Sequence, residues 1–247
     1  MIRVTHITRH PLKSHGREDM AQVALTSGEP IPYDRLWAVA HDASTADGSE
    51  WVSCVNFSRG SKAPALVAIT AALDETTETL TLRHPLLPDL KFRPDHDAQA
   101  LVDWVLPIVP QNRALPNRIL RLDKRGFTDS DFPSVTLCNM SSHRAVEQKI
   151  GHPLSIHRWR GNFWFDGAAP WEEFDWIDRE IRIGTAVVLV RERTERCFAT
   201  TANPDSGLRD ADTLGTLNSW GHQDFSVRAE VIQSGRVTIG DQIGLFS

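Results

Sequence analysis

Glu180-Ile181-Arg182-Ile183-Gly184-Thr185-Ala186-Val187-Val188-Leu189-Val190 is the longest β-like run of the chain, and reading it decides the fold class. It is dominated by β-branched and aliphatic residues, which suit a pleated, half-buried surface. Shorter runs of the same kind, set between turn formers, occur at 4–8, 21–25, 36–40, 51–55, 66–71 and 79–83. They recur at 119–122, 134–138, 155–159, 227–232 and 242–246, and each is read as a strand. Apolar spacing predicts helices over 97–105 and 141–150, with a short third one between Asp212 and Trp220. Many short strands with few helices predict a mainly β (α+β) fold of sandwich or barrel type.

The chain has 247 residues, 40% of them hydrophobic and 24% charged, in ordinary globular proportion. A formal net charge of −5 argues against nucleic acid as a partner. Every apolar run is shorter than the roughly 18–20 residues needed to span a bilayer, and the start of the chain lacks a signal-peptide pattern, so a cytoplasmic protein with no membrane partner is expected. Prolines at 107, 110 and 116 mark a linker between units at 1–110 and 117–247. Such a boundary is a natural place for a ligand cleft.

Three cysteines are too few and too scattered for a disulfide framework. Cys54 and Cys138 sit in apolar, strand-like runs and are read as small buried hydrophobes. Cys197 differs. It follows Arg196 and opens the polar run Phe198-Ala199-Thr200-Thr201-Ala202-Asn203-Pro204-Asp205-Ser206-Gly207, where a thiolate can act as metal ligand or nucleophile and a neighbouring cation favours it.

Other stretches suit an anion. Lys13 and Ser14 precede Gly16 and offer a charge, a hydroxyl and backbone N–H groups. Asp34-Arg35 before a strand is either a structural ion pair or a guanidinium fork for a phosphate. Arg158 and Arg160 fall on one face of the expected 155–159 strand, with Asn162 continuing it. The pair Glu172-Glu173 is read as a solvated turn, and no histidine is assigned to a metal.

Taken together these motifs resemble the MOSC domain and the β-barrel domain that precedes it. Lys13-Ser14 followed by Asp34-Arg35-Leu36-Trp37 is similar to the N-terminal barrel. Arg158-Trp159-Arg160-Gly161-Asn162, Pro170-Trp171-Glu172-Glu173-Phe174-Asp175-Trp176, Ile181-Arg182-Ile183-Gly184, the Cys197 run and Gly235-Arg236-Val237-Thr238-Ile239-Gly240-Asp241 resemble five MOSC elements in order. The family's usual proline is Gly161 here. Its Cys-x-Arg-Cys is Thr194-Glu195-Arg196-Cys197, and its Asp-Pro-Asp-Thr-Gly is Asn203-Pro204-Asp205-Ser206-Gly207.

The resemblance implies an N-terminal β-barrel-like domain, a MOSC β-barrel domain and a molybdenum cofactor (molybdopterin). It implies that Lys13, Ser14 and Arg35 hold the phosphate, and that Asp131, Arg160, Asn162 and Arg196 hold the pterin. Cys197 would be both the metal ligand and the catalytic residue, with Arg196 favouring its thiolate. The implied activity is that of a molybdenum-dependent oxidoreductase reducing a small N-hydroxylated molecule. Its electrons would come from a separate donor protein (ferredoxin, cytochrome or flavoprotein reductase), because the chain has no Cys-rich iron–sulfur tail. The alternative is a sulfur carrier or cofactor-maturation module with a persulfide on Cys197.

Overall fold

The computed structural model describes residues 1–245. In chain order its regular elements begin with β1 (Arg3–Arg9), β2 (Leu12–Lys13), β3 (Glu18–Met20), β4 (Gln22–Leu25) and β5 (Trp37–His41). A meander of β6 (Thr70–Asp74), β7 (Thr79–His84) and β8 (Leu87–Phe92) leads to α1 (Ala98–Val105) and β9 (Pro116–Arg121). The second half holds β10 (Val135–Asn139), α2 (Met140–Ile150), β11 (Phe163–Asp166), β12 (Glu180–Ile183), β13 (Ala186–Glu195), α3 (Thr213–Asn218), β14 (Asp224–Gln233), β15 (Gly235–Thr238) and β16 (Ile243–Leu245). The fold is mainly β with three α-helices among the described residues, and none of these helices is long and apolar enough to cross a membrane.

The largest sheet runs β16-β12-β13-β14-β10-β11-β1-β3. Its one parallel pair, β10 with β11, is spanned by α2, whose first turn is capped by the Asn139 side chain accepting from Ser141 N at 2.9 Å. An antiparallel bridge from Arg3 to Gln242, with Ile243 N donating to Ile2 O at 3.0 Å, draws the two ends of the sheet together. Alternate residues of β14 (Val227, Ala229, Val231) and the apolar residues of β12 and β13 point inward onto Ile7, Phe163, Phe165 and Trp176. A second core around Trp37, Val39, Leu66, Leu80, Leu82, Leu101 and Val105 belongs to the sheets β2-β5-β9 and β6-β7-β8.

Sheet membership does not follow chain order. β1 and β3 complete the sheet built mostly from the second half, while β9, which follows the proline-marked stretch, pairs with β5 of the first half. The cleft between the halves is therefore tied from both sides.

Several expectations for individual elements are corrected. The 180–190 run is two strands: Gly184 turns the chain at φ +58, and a Cβ there would lie 2.4 Å from Arg236 O. The 155–159 run is a 3-10 turn at Ile156–Trp159, because Trp159 lies flat against Phe225 (centroids 3.9 Å apart, planes at 12°). Arg158 and Arg160 thus share no strand face. Residues 51–53 have no regular structure and Cys54–Asn56 forms a 3-10 turn, since Trp51 reaches across to donate from Nε1 to Thr128 O at 2.9 Å. The 66–71 run is a 3-10 turn at Pro64–Ala68 followed by β6.

β8 carries Pro88 and was not expected, but it is an edge strand, where a missing N–H costs little. β11 and β15 were also unanticipated. In the expected 242–246 strand, Phe246 lies outside the described residues. Glu173 is not in a solvated turn. It is fully buried and accepts from Asn139 Nδ2 and Ser142 Oγ at 2.8 Å each, which ties α2 to the turn at Glu172–Trp176.

Candidate functional site

Where the two halves meet, a cavity of about 310 Å³ opens to solvent. Its wall is assembled from the end of β2, the segment before β5, the 51–61 loop, β10, the 158–162 segment and the end of β13. Seven cationic side chains (Lys13, Arg35, Arg59, Arg158, Arg160, Arg196, Arg228) line it against two carboxylates, Asp129 and Glu195. In a chain of net charge −5 this is a concentrated positive field, and a low-dielectric cleft focuses it further.

Three wall residues, Ser14 (φ +63), Arg35 (φ +55) and Arg160 (φ +51), occupy the left-handed region without being glycine. Each costs backbone energy of the kind that clusters at functional sites.

Arg35 makes the structural ion pair of its motif while lining the cavity. One arm donates to the Asp34 carboxylate, which also accepts from His10 N at 2.7 Å; the other donates to Arg160 O at 3.0 Å. Burial favours the neutral acid at Asp34, but the Arg35 charge and the His10 hydrogen bonds outweigh it and hold the carboxyl well below its usual range. Lys13 donates to Phe127 O at 2.7 Å and to Asp129 Oδ1. Burial lowers its pKa and Asp129 opposes the shift.

The Arg160 guanidinium has a single long contact, to Gly16 O at 3.4 Å. Burial first, and then the like charge of Arg35, push its pKa down to about 9. A cation so placed is stabilised by an anion in the cavity.

Arg196 is turned into the protein rather than toward the Cys197 thiol. It donates to Phe225 O at 2.9 and 2.7 Å, to Trp159 O at 2.8 Å and to Ser226 Oγ at 2.6 Å, so it clamps β14 to the 156–159 turn. Asn162 is also committed to backbone, accepting from Thr136 N at 3.1 Å and donating to Thr8 O at 3.2 Å. The Ser14 hydroxyl lines the cavity without a partner among the described residues.

Cys197 is exposed on the cavity wall and caps the 3-10 turn Phe198–Thr201, with its carbonyl accepting from Thr200 N and Thr200 Oγ1 at 3.1 Å. Arg158 braces the same loop through Thr200 O at 2.9 Å and Asp210 at 3.1 Å.

The structure thus brings Lys13, Ser14, Arg35, Arg160, Asn162, Arg196 and Cys197 onto one cavity. Asp131 is exposed and lies off its wall; Asp129, two residues earlier, stands there instead. The other residues missed by sequence reasoning are Trp51, Arg59 and Arg228. Of the two cysteines read as buried, Cys138 is in the core, where burial pushes its thiol up to about 12 against the pull of Arg196. Cys54 is not: it lines the cavity, with Arg59 Nη1 3.1 Å from its sulfur. No periodicity marks Trp51, Cys54 and Arg59, because the 51–61 loop reaches the cavity only through tertiary packing; Arg228 lies in β14 between the core residues Val227 and Ala229, where strand alternation could have marked it.

The MOSC domain family matches residues 125–244, and the MOSC N-terminal beta barrel domain matches residues 1–106. The chain belongs to the MOSC-domain proteins. Mitochondrial amidoxime-reducing component 1 of Xenopus laevis is 24% identical over 156 residues, which span 58% of this MOSC-domain chain and 45% of that protein. Among solved structures, YUAD from Bacillus subtilis aligns over 98% of this chain and 94% of its own at 11% identity and a TM-score of 0.44. YiiM from Geobacillus stearothermophilus aligns over 46% and 54% at 17% identity and a TM-score of 0.35.

Proposed function

We propose that this MOSC-domain protein binds a molybdenum cofactor in the cationic cavity and reduces small N-hydroxylated molecules there. The observation that carries the reading is the exposed Cys197 thiol on the wall of a cavity lined by seven cations. A molybdopterin would bring a phosphate, a heterocycle with a polar edge and two soft sulfurs. The wall residues fit each part: cations for the phosphate, buried polar atoms at Thr194 and Arg158 without partners among the described residues for the ring edge, and the Cys197 sulfur for a soft metal. Amidoxime reduction in the name of the amphibian relative supports the substrate class.

When bound, the cofactor would supply the two-electron chemistry. The chain's own residues do the rest. Arg35, Arg160 and Lys13 offset the ligand's negative charge, and the fixed hydrogen bonds of Arg35 and Lys13 pre-organise part of that field before anything binds. Ser14 offers a hydroxyl. Arg158 and Thr200 hold the Cys197 loop, so the thiol that would hold the metal sits on a braced turn. In the overall reaction the N–O bond breaks and its oxygen leaves as water, consuming two protons and two electrons. The electrons would come from a separate donor protein (ferredoxin, cytochrome or flavoprotein reductase). All three cysteines are free thiols, in keeping with a reducing, cytoplasmic setting.

A second reading, sulfur transfer through a Cys197 persulfide, draws support from the second thiol, Cys54, in the same cavity. Metal analysis separates the two. Protein from a molybdopterin-competent host should carry molybdenum near one per chain, and Cys197→Ala should lose the metal or change its absorption spectrum. Absence of both metal and pterin sinks the first reading and leaves the persulfide to be sought.

A further inference from the structure

Seven buried side-chain polar atoms lack a hydrogen-bond partner among the described residues, and two of them, Thr194 Oγ1 and Arg158 Nε, belong to residues of the cavity wall. Both residues are more than nine-tenths buried, at 5% and 3% exposure. A polar atom closed off from water without a partner costs free energy that a bound group can return.

The backbone explains how Thr194 comes to lie on this wall. Its strand, β13, is in register with β14 at Arg193–Val227 and again at Glu195–Asp224, with a shift between the two pairs. Phe225 and Ser226 therefore stand opposite the single residue Thr194, and Ser226 takes φ +72. Such a bulge re-aims the side chain beside it, and bulges are common next to active sites. Arg158 reaches the same wall with both Nη atoms bonded, one to Thr200 O and one to Asp210, so that Nε is the one guanidinium nitrogen without a partner among the described residues.

We propose that Thr194 is a cofactor-binding residue of this chain, acting with Arg158 Nε on the heterocycle rather than the phosphate. This rests on the reading of the cavity as a molybdopterin site. Phosphate recognition by arginine uses the paired fork, and that fork is spent on the Cys197 loop. A lone N–H demands a single acceptor, and a hydroxyl can accept or donate. The carbonyl, amine and ring nitrogens along a pterin edge provide both. At this position the family pattern carries a cysteine, and this chain carries a hydroxyl instead.

The test compares wild type, Thr194→Val and Thr194→Ser. Each is purified from a molybdopterin-competent host for pterin retention, and from a molybdopterin-deficient host for the melting temperature of the empty chain. Valine keeps the shape and removes the hydroxyl. The melting temperature of the empty chain should rise by about 2–4 °C. The loaded chain should lose pterin on dialysis roughly fivefold more readily, the worth of one neutral hydrogen bond. Serine should restore wild-type behaviour in both assays. A purely structural hydroxyl would give the opposite sign in the empty chain. Unchanged retention in the valine variant, or an empty-chain melting temperature that does not rise, overturns the proposal and leaves the cofactor reading standing. Wild type without pterin overturns both.

Discussion

Replacing Gly161 by alanine should destabilise the protein by about 2 kcal/mol, through one atom of a residue far away in sequence. A Cβ built at Gly161 lies 2.2 Å from Cys138 Sγ and 3.5 Å from Cys138 Cβ. The first distance is far inside contact; the second is ordinary packing. Cys138 is fully buried in β10 and cannot move aside without disturbing Trp159, Trp164 and Phe225 packed around it. The clash therefore resides in the sulfur, and Cys138→Ala removes it at a cost of about 1 kcal/mol for the lost packing. The double variant should be less stable than wild type by only about 1 kcal/mol, where additivity predicts about 3. Urea denaturation of the four proteins reads the cycle directly. In thermal melts Gly161→Ala should lower the midpoint by about 4–8 °C, and Cys138→Ala should recover about half of that loss. An additive double variant would refute the reasoning, because it would mean that the glycine is required for backbone or site reasons unrelated to Cys138.

Two further outcomes follow from the site's electrostatics. Millimolar inorganic phosphate should raise the melting temperature of the cofactor-free wild type, and Arg160→Gln should raise the phosphate-free midpoint while removing most of the phosphate effect; a full phosphate effect in the variant would show that Arg160 does not receive the anion. His15 is fully buried beside Lys13 O (2.7 Å), and burial pushes its pKa down to about 4 from an ordinary 6.5. The unfolded chain then takes up the proton first, so stability is complete above about pH 6.5 and falls as pH drops toward 4, by at most about 3 kcal/mol from this residue. His10, buried and shifted in the same direction, adds to the slope. Urea midpoints between pH 7.5 and 5 should show the decline, and His15→Asn should flatten it; a midpoint indifferent to pH in that window would contradict the buried neutral imidazole.

The amino-acid pattern alone determined the fold class and set Cys197 apart from the other two cysteines as the exposed one, because both rest on local information. Alternating and β-branched runs write strands into the chain, and an arginine followed by a cysteine at the start of a turn-rich run is visible without a structure. It also supplied Lys13, Ser14, Arg35, Arg160 and Arg196, each of which lies on the cavity wall. What each side chain does there was decided only in three dimensions. Arg196 turns inward to clamp β14, Asn162 spends its amide on backbone, and Arg158 braces the Cys197 loop. The same holds for Cys54, Trp51 and Asp129, which reach the cavity on two irregular segments with no period to read. It holds for Glu173, whose burial depends on α2 lying over it. A strand or helix announces which face is apolar. Whether a polar group on an irregular segment meets solvent, backbone or ligand depends on residues a hundred positions away, and only the packed chain brings those together.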